Sequence, residues 1–354
     1  MPISRTVQAT ALMNRFVERT GDSRRYLWTD AFAVCNWIAL GERERALRLV
    51  ERVHRVLGHH RPDDARTGWL SGLADKDGER HPTRGGLRIG KPLPERGPDE
   101  PFDERLEWER DGQYFHYLTK WAHALDVTAR ATGRGLFHEW ARELVAVAAR
   151  HFIHGDWMYW KMSVDLARPL VASMGQHDPL DGLVTCRALE ATAAALGVKG
   201  ADLSEAAARF AAMIEPRALA TSDPLGIGGL LFDALRVARV ADKDGALLDG
   251  LLAAALSGLG RYLAQPDLRA PAERRLAFRE LGLAIGLGAL AAIDGVRPST
   301  RALLDELARH APLRDQIESF WLHDEHRETR SWIDHEDIND VMLATCLVPA
   351  GFLL

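Results

Sequence analysis

Cysteine is scarce in this chain, with three residues in 354, and Cys35, Cys186 and Cys346 stand far apart. Each lies inside an apolar stretch, which excludes a disulfide frame and a Cys-based zinc site and fits reduced, buried thiols. No block of basic residues occurs and the formal net charge is −5, so nucleic acid is excluded as a partner. Long uncharged apolar runs are missing too. The Gly/Ala/Leu run from Leu281 to Ile293 stops at Asp294, which leaves no bilayer span and no membrane partner. The N-terminal stretch carries Arg5, Arg15, Glu18 and Arg19 and lacks the continuous apolar core of a signal peptide, so a cytoplasmic location is expected. Strand-like alternation is nearly absent, and no motif recurs at a fixed period. Gly226-Ile227-Gly228-Gly229 follows no strand, so its likeness to a dinucleotide loop is empty, and no cofactor is expected.

What fills the chain is helical periodicity. Hydrophobic residues make up 47% and charged residues 27%, enough apolar material for a large core. Two kinds of helix alternate. Segments near 4–20, 42–58, 135–151, 179–196, 243–264 and 298–311 carry charges at helical spacing; in the second, Ala46, Leu47, Val50, Val53 and Leu57 form one stripe. Between them come segments apolar on nearly every side: 27–40, 113–127, 160–173, 226–240, 278–293 and 337–354. A helix apolar all round must be covered all round. The alternation predicts one all-α domain over 1–354, an (α/α)6 barrel of six helical hairpins with buried helices inside and amphipathic ones outside. Gly282, Gly286 and Gly288 would let inner backbones approach closely. A solenoid is the alternative, disfavoured by hairpins of unequal length without a repeated motif. A Gly- and Pro-rich connection at about 63–110 interrupts the pattern, with a short hairpin expected at 85–90 and functional use implied by its length. A helix near 202–214 reads as an insertion.

Each buried segment opens with polar and aromatic residues that its remainder avoids. The first has Tyr26, Trp28 and Asp30; the second Trp108, Asp111, Tyr114 and His116; the third Tyr159 and Trp160, with Asp165 and Arg168 further in. The fifth has Arg279, and the sixth Trp332, His335, Glu336, Asp337 and Asp340. In a ring of parallel helices these starts share one end, and Trp69 at the head of the long connection joins them. Aromatic walls beside carboxylates suit a polyhydroxylated ligand, because rings stack on sugar faces while acids bind hydroxyls and move protons.

The alternation, with aromatic–acid openings of the inner helices, resembles the six-hairpin glycosidase superfamily, which includes unsaturated glucuronyl hydrolases and shares its barrel with N-acylglucosamine 2-epimerases. The resemblance is architectural and implies a carbohydrate-active enzyme with a small sugar-like substrate. In a hydrolase, Asp30 would pair across the ring closure with Glu336, Asp337 or Asp340 at about 5–10 Å. In an epimerase, His116 and His335 or His326 would exchange protons with a carbon beside a carbonyl. A non-catalytic binding or scaffold protein would line the mouth with mutually neutralising ion pairs.

Blander readings compete at each position. Asp30 can stabilise a helix start with Arg24 or Arg25, and Asp334 and Asp337 fit a cap. His116 can be a core histidine, with Lys120 and His123 behind it. Asp165 and Arg168 can form a buried ion pair. His323, Asp324, Glu325, His326 and His335 lack zinc-site spacing, so no metal is expected. His177-Asp178-Pro179 reads as a helix start at the end away from the mouth. Tyr26, Trp28, Trp69, Trp108, Asp111, Tyr114, Tyr159, Trp160, Asp165, Arg168, Arg279, Trp332 and His335 are the expected substrate contacts.

Overall fold

The computed structural model describes residues 4–240, 245–265 and 267–353. Helix accounts for 65% and strand for 4%, as the periodicity requires of an all-α chain. The residues cluster into two compact units, 20–214 on the one hand and 1–19 with 215–354 on the other. The first helix, α1 (Arg5–Thr20), belongs to the second unit except for its last residue.

In the unit 20–214, α2 (Leu27–Ala39) and α3 (Arg43–Leu57) form a hairpin. α2 buries Leu27 through Trp37 without a break, whereas α3 buries the stripe Ala46, Leu47, Val50, Val53 and Leu57 and turns its charges outward. The connection that follows holds two short helices, α4 (Asp75–Arg80) and α5 (Glu104–Glu107). The expected hairpin at 85–90 is not formed. That segment runs extended and bonds outward: Arg88 N–H donates to the Leu57 carbonyl (2.9 Å) and Ile89 N–H to that of Gly112 (2.8 Å), while the Ile89 carbonyl accepts from Leu27 N–H (3.0 Å). Backbone groups buried there find partners on the ends of α2 and α3 and on Gly112 instead of on each other. β1 (Gln113–Tyr114) then leads into α6 (Phe115–Thr132), paired with α7 (Gly135–Phe152) across Gly133 at φ 70°.

The stretch 160–173 corrects the sequence reading, because it is not a helix. After a small hairpin, β2 (Ile153–His154) with β3 (Trp157–Met158), it forms β4 (Lys161–Met162) and β5 (Pro169–Val171), and β4 also pairs with β1. Pro169 has no N–H to give a helix and biases Arg168 toward extended backbone, and Leu166 sits at φ 60°. Its place in the buried row is taken by α8 (Asp178–Leu196), expected outside but packed on α6. α9 (Ser204–Met213), expected as an insertion, is the hairpin partner of α8. A Cβ on Gly182 would lie 2.8 Å from the Phe210 ring, so glycine there lets α9 seat that ring. Burying such a ring stabilises by roughly 1.5–3 kcal/mol. The unit thus has α2, α6 and α8 in one row and α3, α7 and α9 in the other.

The second unit repeats the plan. α10 (Pro224–Arg239), α12 (Ala277–Ala289) and α17 (Glu336–Leu347) form its buried row. α11 (Gly245–Leu263) packs on α10, α13 (Pro298–Ala308) on α11 and α14 (Pro312–Leu322) on α12, while α15 (Asp324–Arg327), α16 (Arg330–Ile333) and α18 (Ala350–Leu353) are short. α10 and α12 cross backbone to backbone: a Cβ on Gly228 would stand 2.1 Å from the Gly282 oxygen, and one on Gly286 2.5 Å from the Gly228 Cα. Gly288, expected in the same role, makes ordinary contacts with Arg314 instead. α11 is long and apolar enough to cross a membrane, with an 18-residue stretch of mean hydropathy 1.2, but Leu248, Leu251, Leu252 and Leu259 are buried and the helix packs on α10 and α13. The first two residues of the segment expected there, 243–244, lie outside the described residues. α1 runs antiparallel along α17, with Arg5 bonded to the Cys346 carbonyl (2.9 Å) and Arg19 to Asp337 (2.9 Å). The first helix is therefore the hairpin partner of the last long one.

Candidate functional site

The starts of α6 and α8 come together in the unit 20–214. His116, one residue into α6, has Nδ1 3.7 Å from Oδ1 of Asp178, the first residue of α8. One turn further along each helix, Lys120 binds Asp181 at 2.9 Å. The spacing is i,i+4 on α6 and i,i+3 on α8, which sets two pairs side by side. Asp178 retains 5% side-chain exposure, and among the described residues its Oδ2 finds no hydrogen-bond partner. Burial, reinforced by the Asp181 charge, raises its pKa to about 8. A helix N-terminus favours a carboxylate by at most about 2 kcal/mol, so here desolvation outweighs the dipole. Burial likewise lowers the His116 pKa to about 4. Yet 27% of the His116 side chain reaches solvent. At neutral pH the carboxyl keeps its proton and the imidazole is open to accept one.

Aromatic rings surround the pair. His116 stacks near Tyr114 (5.4 Å) and Trp160 (6.2 Å) and meets Tyr117 edge-on (4.8 Å). The Tyr117 and Tyr26 hydroxyls share a 2.6 Å hydrogen bond. Burial holds both phenols protonated, with Tyr26 raised to about 12 and Tyr117 well above its usual value. Trp160 in turn meets Trp108 at 5.0 Å. Of the expected contacts, Tyr26, Tyr114, Trp160 and Trp108 therefore gather around His116.

Others do not join them. Trp28 packs on Phe32 (4.4 Å). Trp69 is buried against His59 (3.9 Å), above Gly58 and Gly78. Asp111 is fully buried, binding Arg88 and the Gly90 N–H (3.0 Å), so it ties the long connection down. Tyr159 stacks on His154 (5.9 Å). Asp165 and Arg168 do not pair with each other: Asp165 binds Arg66 (2.9 Å) and Ser163 (2.6 Å), while Arg168 binds the Arg96 carbonyl. They sit on a turn between strands, where i,i+3 spacing no longer brings side chains together. Asp30 is 1% exposed, bonded to Arg25 (3.2 Å) and to the Tyr26 N–H (3.0 Å), as a residue stabilising a helix start would be.

The second unit collects charge differently. Asp340 is 1% exposed and receives Arg19 at 2.7 Å and Arg15 at 3.2 Å. Arg19 also binds Asp337 (2.9 Å) and Glu336 (3.2 Å). An open cleft of about 260 Å³ lies here, with Arg15, Arg327, Trp332, Glu336 and Asp340 in its walls. Each expected acid of α17 is thus held by an arginine of α1. Trp332 is buried against Trp321 (5.6 Å), His335 is exposed beside Phe278 (5.5 Å), and Arg279 binds Asp223 (2.7 Å). His326 stacks on Phe320 (3.8 Å) and bonds its carbonyl (2.6 Å).

Asp178, Asp181 and Tyr117 are absent from the residues expected of the site. The sequence did hold a signal, since His177-Asp178-Pro179 marks a helix start, but that start was assigned to the wrong row once 160–173 was taken for a buried helix. Comparisons of the chain with protein-family models, with curated proteins and with solved structures each return no match.

Proposed function

We propose that the chain is an acid–base enzyme acting on a small sugar-like substrate, with His116 meeting the substrate and Asp178 as its proton partner. The observation that carries this reading is the carboxyl raised to about 8 within 3.7 Å of an imidazole lowered to about 4, on an aromatic-lined wall. Groups whose surroundings push their pKa values apart are the usual mark of an acid–base pair. The exposed member is the imidazole, which favours the isomerase or epimerase form. A proton on a carbon beside a carbonyl passes to His116, the electron pair moves onto the carbonyl oxygen, and the proton returns to carbon. Hydrolysis of a glycoside is the second reading, favoured by a carboxyl that keeps its proton at neutral pH. In that case Asp178 delivers its proton through His116 to the leaving oxygen as its bond to the sugar carbon breaks, a water oxygen bonds to that carbon, and the proton the water sheds restores the Asp178 carboxyl.

The fold that accompanies this proposal is the (α/α)6 barrel. Its support is the packing of α2 on α3, α6 on α7 and α8 on α9 in one unit and of α10 on α11 and α12 on α14 in the other, with α1 bonded along α17 through Arg5 and Arg19. A chain split after residue 214 that gave two separately folding halves would exclude it.

Aldoses, ketoses and N-acylhexosamines incubated with the protein in D2O test the chemistry. Deuterium should enter the carbon beside the carbonyl of a substrate in the panel, and His116→Gln should abolish the exchange. Reducing ends released from disaccharides without deuterium uptake would replace isomerisation by hydrolysis. Sugar binding with neither signal would leave a non-catalytic binding protein.

A further inference from the structure

Trp108 is 47% exposed, and single exposed aromatics need no special explanation. Two observations set this one apart. It closes a row of rings leading outward from the acid–base pair, His116 to Trp160 at 6.2 Å and Trp160 to Trp108 at 5.0 Å. It is also held rigidly in place. The residue before it, Glu107, is 3% exposed and is gripped by Lys161 (2.9 Å) and Arg96 (3.0 Å). Lys161, itself fully buried, further donates to the carbonyls of Glu107 and Arg110, both at 2.8 Å. Removing an ammonium from water costs several kcal/mol, which such geometry must offset. The triad of buried Lys161 and Glu107 with part-buried Arg96 therefore fixes the backbone on either side of a tryptophan that it leaves facing solvent. A wall that is rigid and aromatic, and continuous with a reactive centre, is pre-organised to bind.

We infer that Trp108 forms an outer subsite for a second sugar ring, so that the substrate of the proposed enzyme is at least as long as a disaccharide. The inference rests on the sugar-like reading of the His116 site and specifies its substrate length. A hexose or N-acetylhexosamine ring presents an axial C–H face that packs on indole, while the first ring lies against Trp160 and His116.

The test measures affinities of glucose and N-acetylglucosamine against their α- and β-linked disaccharides by calorimetry, for the wild-type protein, Trp108→Ala and Trp157→Ala. Trp157 is 44% exposed but sits in the separate β2–β3 hairpin, so it controls for the loss of any surface tryptophan. The wild type should bind one disaccharide about tenfold more tightly than its monosaccharide, a difference of about 1.4 kcal/mol. Trp108→Ala should erase that preference and Trp157→Ala should keep it. A preference unchanged in Trp108→Ala, or no disaccharide preference at all while monosaccharides bind, would overturn the outer subsite and leave the sugar-like reading standing. Binding of no sugar in the panel would overturn both.

Discussion

The start of α17 and the paired starts of α6 and α8 carry similar residues and treat them in opposite ways. At α17, Asp340, Asp337 and Glu336 meet Arg15 and Arg19 of α1 at 2.7–3.2 Å, so buried charge is matched by opposite charge. At α6 and α8, Asp178 is as deeply buried but faces a neutral imidazole, and one of its oxygens finds no hydrogen-bond partner among the described residues. A matched carboxylate is fixed as a charge. An unmatched one becomes a proton store, because neutralisation is the cheaper way to stay buried. Where a chain tolerates that cost, chemistry is the first explanation to test.

The largest expected effect separates the two places directly. His116→Gln should lower turnover about 10²–10⁴-fold, the range removed with an acid–base group, while the melting temperature moves by a few degrees. Asp340→Ala should do the reverse. It takes the acid partner from Arg15 and one of three from Arg19, both partly solvated, so the cost falls below the roughly 3–5 kcal/mol of a fully buried broken pair, at about 2–3 kcal/mol. Turnover per folded molecule should stay at the wild-type level. Asp340→Ala that folds and is inactive would move the chemistry to α17 and break the comparison.

Asp30 lies between these extremes. Asp30→Asn keeps an acceptor for the Tyr26 N–H but removes the charge opposite Arg25, a side chain with 2% exposure. Chemical denaturation should report a loss of about 2 kcal/mol, set by the weakened charge-assisted bond. Loss of turnover by orders of magnitude at intact stability would instead give Asp30 a proton-transfer role.

Much of the fold was legible because apolar residues recur at helical spacing. α2, α3, α6, α7, α10 and α12 begin or end within a few residues of their expected bounds. The failure at 160–173 had a readable cause. Met162, Val164 and Leu166 alternate with Lys161, Ser163 and Asp165, the apolar–polar period of a strand, and Pro169 follows within one turn. Apolar content alone makes this stretch read as a helix, which displaces α8 by one row. Asp178 then reads as the cap of an outer helix at the end away from the mouth, whereas it and Asp181 are buried against His116 and Lys120 of α6. His116, Tyr114 and Trp160 were legible because they open apolar segments. The arginine partners of α17 were not, since nothing local in residues 5–19 announces that α1 lies along a helix more than 300 positions later.

The smallest expected effect tests the proton store itself. The Asp178 carboxyl titrates at about 8 in the folded chain and near 3.9 unfolded. Between those values the folded state holds a proton that the unfolded state has lost, so its contribution to stability falls as pH rises through the window. His116 works the other way. Its pKa drops to about 4 in the folded chain from about 6.5 unfolded, so its contribution rises with pH and is complete above roughly 6.5. The two oppose each other below that point, which makes pH 6.5–8 the window where Asp178 acts alone. There the wild type should lose roughly 1–2 kcal/mol relative to Asp178→Asn, whose amide has no proton to lose. The measurement is the melting temperature of both proteins at closely spaced pH values, read as their difference so that other titrating groups cancel. A difference that widens in favour of Asp178→Asn from pH 6.5 to 8 supports the protonated carboxyl. A flat difference means that Asp178 is already ionised at pH 6.5, and the contrast between the two helix starts disappears.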